Sequence, residues 1–321
     1  MVSVVKCLSL FIVILSLSNF GQAQTCCSGG VPLSGNIGLP AGEIGSWQIA
    51  MTYDLNTLKT LNSGSEKLDD RLRERRTHSV LLETGYTFSS KWSADLFLSY
   101  IRQERHIFTF ADTQSTITNG LGDAVVLIKY RITNPERAAT WVIAAGPKIP
   151  LGNTDKTNNN GISLTADLQP GSGSWDGIIW SSFDYPLSFR KSLRFSATST
   201  WKISGKNNDY LGSIVYQFGN EYQLALGLAD RIVIGSTIID PSIRVQYRKV
   251  GRDINDNQEI EATGGEWIFI MPGVSVPLSQ FLAFNFTTSL PIYSFVNNTQ
   301  LTPTNRYTVG LFFKINKHQN L

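Results

Sequence analysis

From Gly45 onward the chain repeats one theme: an alternating stretch of about ten residues, then a connection. In Trp47–Leu55 the odd positions are Trp47, Ile49, Met51, Tyr53 and Leu55, and the even ones are Gln48, Ala50, Thr52 and Asp54. A period of two with one wholly apolar face predicts a strand whose faces meet different media. The pattern returns where Trp92, Ala94, Leu96, Leu98 and Tyr100 oppose Ser93, Asp95, Phe97 and Ser99. It returns again where Ala124, Val126, Ile128, Tyr130 and Ile132 oppose Val125, Leu127, Lys129 and Arg131. At the end, Tyr307, Val309, Leu311, Phe313 and Ile315 oppose Thr308, Gly310, Phe312 and Lys314. Aromatic residues stand near strand ends with aliphatic ones between, the arrangement of interfacial girdles around a lipid band.

Twelve such stretches are predicted, at about 45–55, 78–88, 91–102, 121–133, 139–149, 174–186, 191–203, 210–227, 232–248, 265–276, 280–291 and 305–316. Their lengths suit tilted membrane strands, which need ~9–11 residues. Short connections are expected near Ser90, Pro135, Phe189, Ala229 and Ser279. Long polar ones are expected over about 56–77, 103–120, 150–173, 249–264 and 292–304, and a shorter one over 204–209. Alternation of short turns and long loops is the habit of outer-membrane barrels, and an even strand count leaves both termini on one side. The fold expected is therefore all-β: a transmembrane antiparallel up-and-down β-barrel of about 12 strands. A secreted β-sandwich would also alternate, but its outer face would be polar and its connections would not alternate in length.

The N-terminus supports export. Lys6 precedes the apolar run Leu8–Leu15, and Gly21 and Ala23 sit where a signal peptidase needs small residues. The run is too short for a spanning helix, which needs ~20 residues, and no later stretch reaches that length, so membrane residence would be as a barrel. The organisation expected is a cleavable signal over 1–23, a flexible periplasmic segment over 24–44, the barrel over 45–316 and a short tail over 317–321. The expected location is the bacterial outer membrane, with its lipid as one partner. Lys+Arg 28 against Asp+Glu 25 is too even a balance to suggest nucleic acid.

Some landmarks resemble a known family. Asn119–Arg131, reading NGLGDAVVLIKYR, Gly146–Gly152, reading GPKIPLG, and Gly171–Asp176, reading GSGSWD, resemble segments of an outer-membrane transporter family. That family is named for the MetA pathway of phenol degradation, and Asn297–Leu301 is similar to a segment of its Bacteroidota members. The resemblance implies a barrel that passes small solutes, without naming one. Unlike many barrels, the chain continues past Phe313 to Asn320 and Leu321 rather than ending on an aromatic residue. The same landmarks have structural uses. Gly120 and Gly122 permit a tight approach where a loop re-enters the wall, and Asp123 is placed to accept loop amide hydrogen bonds.

No enzyme is predicted and no cofactor is implied. Of the three histidines, His78 is followed directly by Ser79, so on a strand their side chains would point to opposite faces and could not cooperate as base and nucleophile. Adjacent Cys26 and Cys27 could bind a soft metal such as copper or engage a periplasmic partner through the N-terminal tail. The run from Glu66 to Arg76, with Arg71, Arg73, Arg75 and Arg76, reads as a solvated loop. By parity the inward face carries Asp95, Lys129, Arg131, Lys148, Asp176, Arg194, Lys202, Arg244 and Lys314, along with Asp54, Glu83 and Arg248. Such mixed charge either lines a polar pore or cross-links a filled barrel. The leading expectation is a passive channel for small solutes, hydrophobic or anionic. The alternative is a non-transporting structural or docking barrel whose cysteine tail engages its partner or metal.

Overall fold

The computed structural model describes residues 39, 42–109, 112–134, 136, 138–158 and 160–315. Most of them lie in antiparallel strands: β1 Trp47–Gly64, β2 Arg73–Thr87, β3 Trp92–Phe108, β4 Thr113–Leu121, β5 Ala124–Arg131, β6 Thr140–Ile149, β7 Asp176–Leu187, β8 Arg190–Ile203, β9 Glu221–Ala229, β10 Thr237–Val250, β11 Gly265–Pro277 and β12 Leu282–Ile315. Each wall strand pairs with its sequence neighbours, and β12 pairs with β1, so the sheet closes into a barrel. β4 and β5 both pair with β3, one above the other, with Gly122 and Asp123 between them.

The ring contains eleven strand elements, and an all-antiparallel ring cannot close on an odd number. β12 resolves this. Its first half, Ala283–Val296, pairs with β11, and its second half, Thr299–Ile315, pairs with β1. Because β11 and β1 run in opposite senses, the chain reverses inside this 34-residue element, and Asn298 (φ 58°) marks the place. Asparagine is one of the few residues that takes the left-handed region readily. The wall is thus crossed twelve times.

The outward face is the apolar one. Trp47, Met51, Tyr53, Leu96, Leu98, Tyr100, Leu226, Leu228, Val309 and Leu311 are all exposed, while Gln48, Asp54, Asp95 and Ser99 on the alternate positions are buried. Trp92 and Tyr100 bound the apolar run of β3, eight residues apart and so roughly 26 Å along an extended strand. That is the order of the ~25 Å apolar band of a membrane barrel. Trp47 packs on Tyr86 and Trp92 on Tyr130, each with ring centroids 4.8 Å apart, at the end where β1 starts and β12 stops (the terminus end). No helix among the described residues is long and apolar enough to cross a membrane, which says nothing against crossing by strands. Two turns at the terminus end use one device. Ser89 Oγ accepts the amides of Lys91 and Trp92, and Ser279 Oγ accepts those of Phe281 and Leu282.

At the opposite end, several expected loops are strands. β1 runs on to Gly64, β3 to Phe108, and the expected loop at 292–304 is two extended arms of β12 on either side of the turn at Asn298. These hairpins stand above the apolar band, where both faces can be polar, so hydrophobic alternation disappears although the ladder continues. The expected eighth strand over 210–227 divides. Only Glu221–Ala229 joins the wall, whereas Asn207–Tyr210 and Ile214–Gln217 join Ile254–Asn255 and Gln258–Glu259 in a separate four-stranded sheet. In the expected ninth, Ile232–Ile234 folds back on Thr237–Ile239 across Gly235 (φ 61°), and the wall strand begins at Thr237.

Candidate functional site

The inward side chains gather into ionic groups. Lys129 on β5 and Asp95 on β3 are both almost wholly buried, with Nζ to Oδ2 at 2.7 Å. Lys129 Nζ also donates to the Leu39 carbonyl at 2.6 Å, and the Leu39 amide donates to Asp95 at 3.3 Å. The stretch 24–44, expected to be a flexible lead-in, therefore has one residue seated against the inner wall.

A larger group lies towards the loop-rich end. Lys148 Nζ is 2.7 Å from Asp123 and 3.0 Å from Asp176, and it also donates to the Ser172 hydroxyl. Asp123 Oδ2 accepts the Ser172 amide at 3.1 Å and its hydroxyl at 2.6 Å, while Oδ1 accepts the Gly152 amide at 3.2 Å. Asp176 accepts the Ser174 hydroxyl at 2.9 Å and the Gly205 amide at 3.0 Å. On the adjoining strands Glu221 takes Arg248 at 2.7 Å, Gln223 at 2.6 Å and Lys202 at 3.9 Å. Lys148, Lys202 and Arg248 thus face Asp123, Asp176 and Glu221, three charges against three. In a low-dielectric interior such groups hold only while balanced, and removing one member of a buried pair costs ~3–5 kcal/mol.

A third group closes the mouth. Arg75, fully buried, donates through Nη1 to Asp167 at 2.6 Å and through Nη2 to Gln103 and to the Asp167 carbonyl. Gln103 donates to the Gln169 carbonyl at 3.2 Å and Thr118 to the Leu168 carbonyl at 2.7 Å. The single 3-10 turn Ala166–Leu168 is held inside the barrel this way, and Ala166 packs with Tyr210, Tyr216 and Phe218. Tyr216 donates to Asp253 at 2.6 Å beneath the outer sheet, and Asp253 also accepts the Gly219 amide at 2.8 Å. Burial raises both their pKa values, and each carboxylate nearby pushes the Tyr216 phenol further up. Arg75 corrects the reading of Glu66–Arg76 as wholly solvated. It lies on the inward face of β2, and its carboxylate partner is 92 residues away, where local charge patterning cannot show it.

Between these groups the inner wall is apolar. Phe97 of β3, Val125 and Leu127 of β5, Val142 and Ala144 of β6, and Ile178 and Trp180 of β7 form one buried cluster, and a second joins Val250, Trp267, Phe269, Met271 and Val296. The signal is present in the sequence, since Phe97, Val125 and Leu127 stand among the polar positions of their strands. Towards the terminus end, around β8 to β12, the same face carries Ser196, Thr198, Ser242, Gly273, Ser275 and Thr287, small groups that keep partial exposure.

The other expected lumen residues are scattered. Asp54 accepts Arg306 at 2.6 Å and Thr308 at 2.8 Å. Arg194 pairs with Asp184 at an exposed position, and Lys314 meets Glu43 at 2.8 Å. Glu83 is buried, and Arg131 and Arg244 are partly exposed. His78 hydrogen-bonds Tyr53 at 2.7 Å on the outer surface while Ser79 is buried on the inner one. Cys26 and Cys27 lie outside the described residues, among which no group of three His, Cys, Asp or Glu is placed to hold a metal.

The fold is shared with solved barrels. An outer membrane channel from Pseudomonas putida F1 superposes with a TM-score of 0.64 at 13% identity, over 86% of this chain and 97% of that one. Lesser likenesses are the β domain of the Bordetella autotransporter BrkA (TM-score 0.48, 12% identity, 84% and 100% covered) and the NanC porin (TM-score 0.44, 12% identity, 84% and 100% covered). No family profile and no curated sequence matches the chain.

Proposed function

We propose that this protein is an outer-membrane channel for small solutes that are uncharged and apolar to amphipathic, rather than anionic. The observation that carries this reading is the inner wall itself. Its lysines Lys129, Lys148 and Lys202 face carboxylates at 2.7–3.9 Å, and what separates the ionic groups is apolar packing rich in aromatic rings. A basic constriction would need cations in surplus, and the network supplies none. The exposed apolar band supports membrane residence, with the terminus-bearing end in the periplasm and the long hairpins outside. The family resemblance at Asn119–Arg131 and Gly146–Gly152 points the same way.

A structural barrel is the second reading, and one observation favours it: Arg75, Asp167 and Gln169 close the loop-rich mouth with buried hydrogen bonds. Planar-bilayer recording separates the two. The channel reading expects discrete conductance with a reversal potential near zero in a potassium chloride gradient. Strong anion selectivity would overturn the neutral-solute assignment, and a silent, correctly folded protein would favour the structural barrel.

A further inference from the structure

Two arginines stand opposite each other on the inner wall of the loop-rich mouth, and one carboxylate serves both. Arg75 of β2 and Arg105 of β3 are direct cross-strand partners, on the face that also carries Asp95, Phe97 and Gln103 inward. Residues so paired have Cβ atoms roughly 5 Å apart, and like charges placed there destabilise a sheet. The carboxylates nearest in sequence do not help. Glu74 and Glu104 lie on the other face of their strands, where they pair with Arg76 and Arg102.

The anion comes instead from the re-entrant 3-10 turn, whose Asp167 accepts from Arg75 Nη1 at 2.6 Å. Arg105 makes no hydrogen bond or ion pair among the described residues. Burial holds its guanidinium below the ordinary pKa, while Asp167 raises it and Arg75 lowers it again. Two cations thus share one anion, and Arg105 keeps the partial exposure that Arg75 lacks. The turn has other ties: Thr118 and Gln103 donate to the Leu168 and Gln169 carbonyls at 2.7 and 3.2 Å, and the Ala166 amide donates to the Tyr210 hydroxyl at 3.1 Å. Those join neutral groups and are about half as strong as a charge-assisted bond. The carboxylate contact therefore decides whether the turn stays inside.

We propose that Arg75 and Arg105 form a binding site for a small carboxylate at the outer mouth, that Asp167 is its tethered occupant, and that a free carboxylate entering at Arg105 displaces Asp167 and releases the turn Ala166–Leu168. A planar carboxylate matches the guanidinium fork, and Arg105 offers an entire fork to a newcomer. The anion acts at the mouth and is not cargo. Arg105 lies above the apolar band and outside the lysine network, so the inference goes beyond the channel reading and leaves its neutral solute in place.

The test reads the position of the turn, whether or not the barrel conducts. Ala166 is 5% exposed and packs with Tyr210, and cysteine changes its volume little. In detergent-purified full chain with its native cysteines changed to serine, Ala166→Cys is labelled with a cationic methanethiosulfonate, and heat-modifiable migration confirms folding. Acetate should speed labelling several-fold and saturate, where chloride at equal ionic strength does not, and Arg105→Gln should abolish the response. Asp167→Asn should label about tenfold faster without acetate, the loss expected for one charge-assisted hydrogen bond. Its vacated arginines should take up acetate, read as a rise in the urea midpoint that Arg105→Gln cancels. Equal effects of acetate and chloride on Ala166→Cys would overturn the displacement, and an Asp167→Asn protein whose midpoint ignores acetate would overturn the site. If Asp167→Asn does not fold, the acetate response and its loss in Arg105→Gln decide alone.

Discussion

Replacing Lys148 with methionine is the sharpest probe of how the lumen is held together. The ammonium lies 2.7 Å from Asp123 and 3.0 Å from Asp176, and all three groups are within a few per cent of complete burial. Methionine keeps the length and apolar stem of the side chain, so packing changes little and the effect is electrostatic. What remains is two buried carboxylates converging on a site with no cation of its own. Breaking a buried pair costs ~3–5 kcal/mol, and two stranded acids place this variant at the upper end. Asp123 also ties down the Gly152 and Ser172 amides, so the re-entrant segment around Ser172 should loosen with it. The assay is equilibrium urea unfolding of vesicle-inserted protein, followed by tryptophan fluorescence and by heat-modifiable migration. Combining Lys148→Met with Asp123→Asn should restore most of the loss, because Lys202 and Arg248 then face two carboxylates, Asp176 and Glu221. A single variant within about 1 kcal/mol of the parent, the worth of an exposed pair, would refute the claim that the lumen is cross-linked by ions.

Leu96→Arg and Asp95→Asn should both destabilise the barrel, for different reasons. The first puts a cation in the lipid band at ~2–4 kcal/mol; the second strands Lys129, so Lys129→Met should rescue Asp95→Asn and leave Leu96→Arg unaided. At the outer sheet, Asp253 has its carboxyl pKa raised by burial above the ordinary 3.8. Its contribution to local stability is therefore full below about pH 4 and is lost as pH rises through the raised value. Amide exchange at Ile214–Gln217 should quicken over that window, and Tyr216→Phe, which removes a donor to the ionised form, should move the window to higher pH. A flat exchange profile in both proteins would show that Asp253 does not titrate with the sheet.

Alternation alone determined the class of fold, because a strand with lipid on one side and a polar lumen on the other must alternate, and Trp47–Leu55 does so throughout while Trp92–Tyr100 breaks the pattern only at Phe97. It also determined the faces, since a slip of one residue would have put Asp95 into lipid and Leu96 into the lumen. The limits of that signal are physical. Above the membrane both faces of a hairpin meet water, so the extensions of β3 and β12 left no period to read. Charge placed Lys129, Lys148 and Lys202 inside, yet whether they formed an anion path or a latch depended on partners that sequence distance hides. Asp123, Glu221 and the Arg75–Asp167 contact were set only when closure of the sheet brought remote strands and a re-entrant turn together. The same holds for Leu39: nothing local distinguishes it from its neighbours, and it acquires a place only because Asp95 and Lys129 of separate strands converge on its backbone once the sheet has formed.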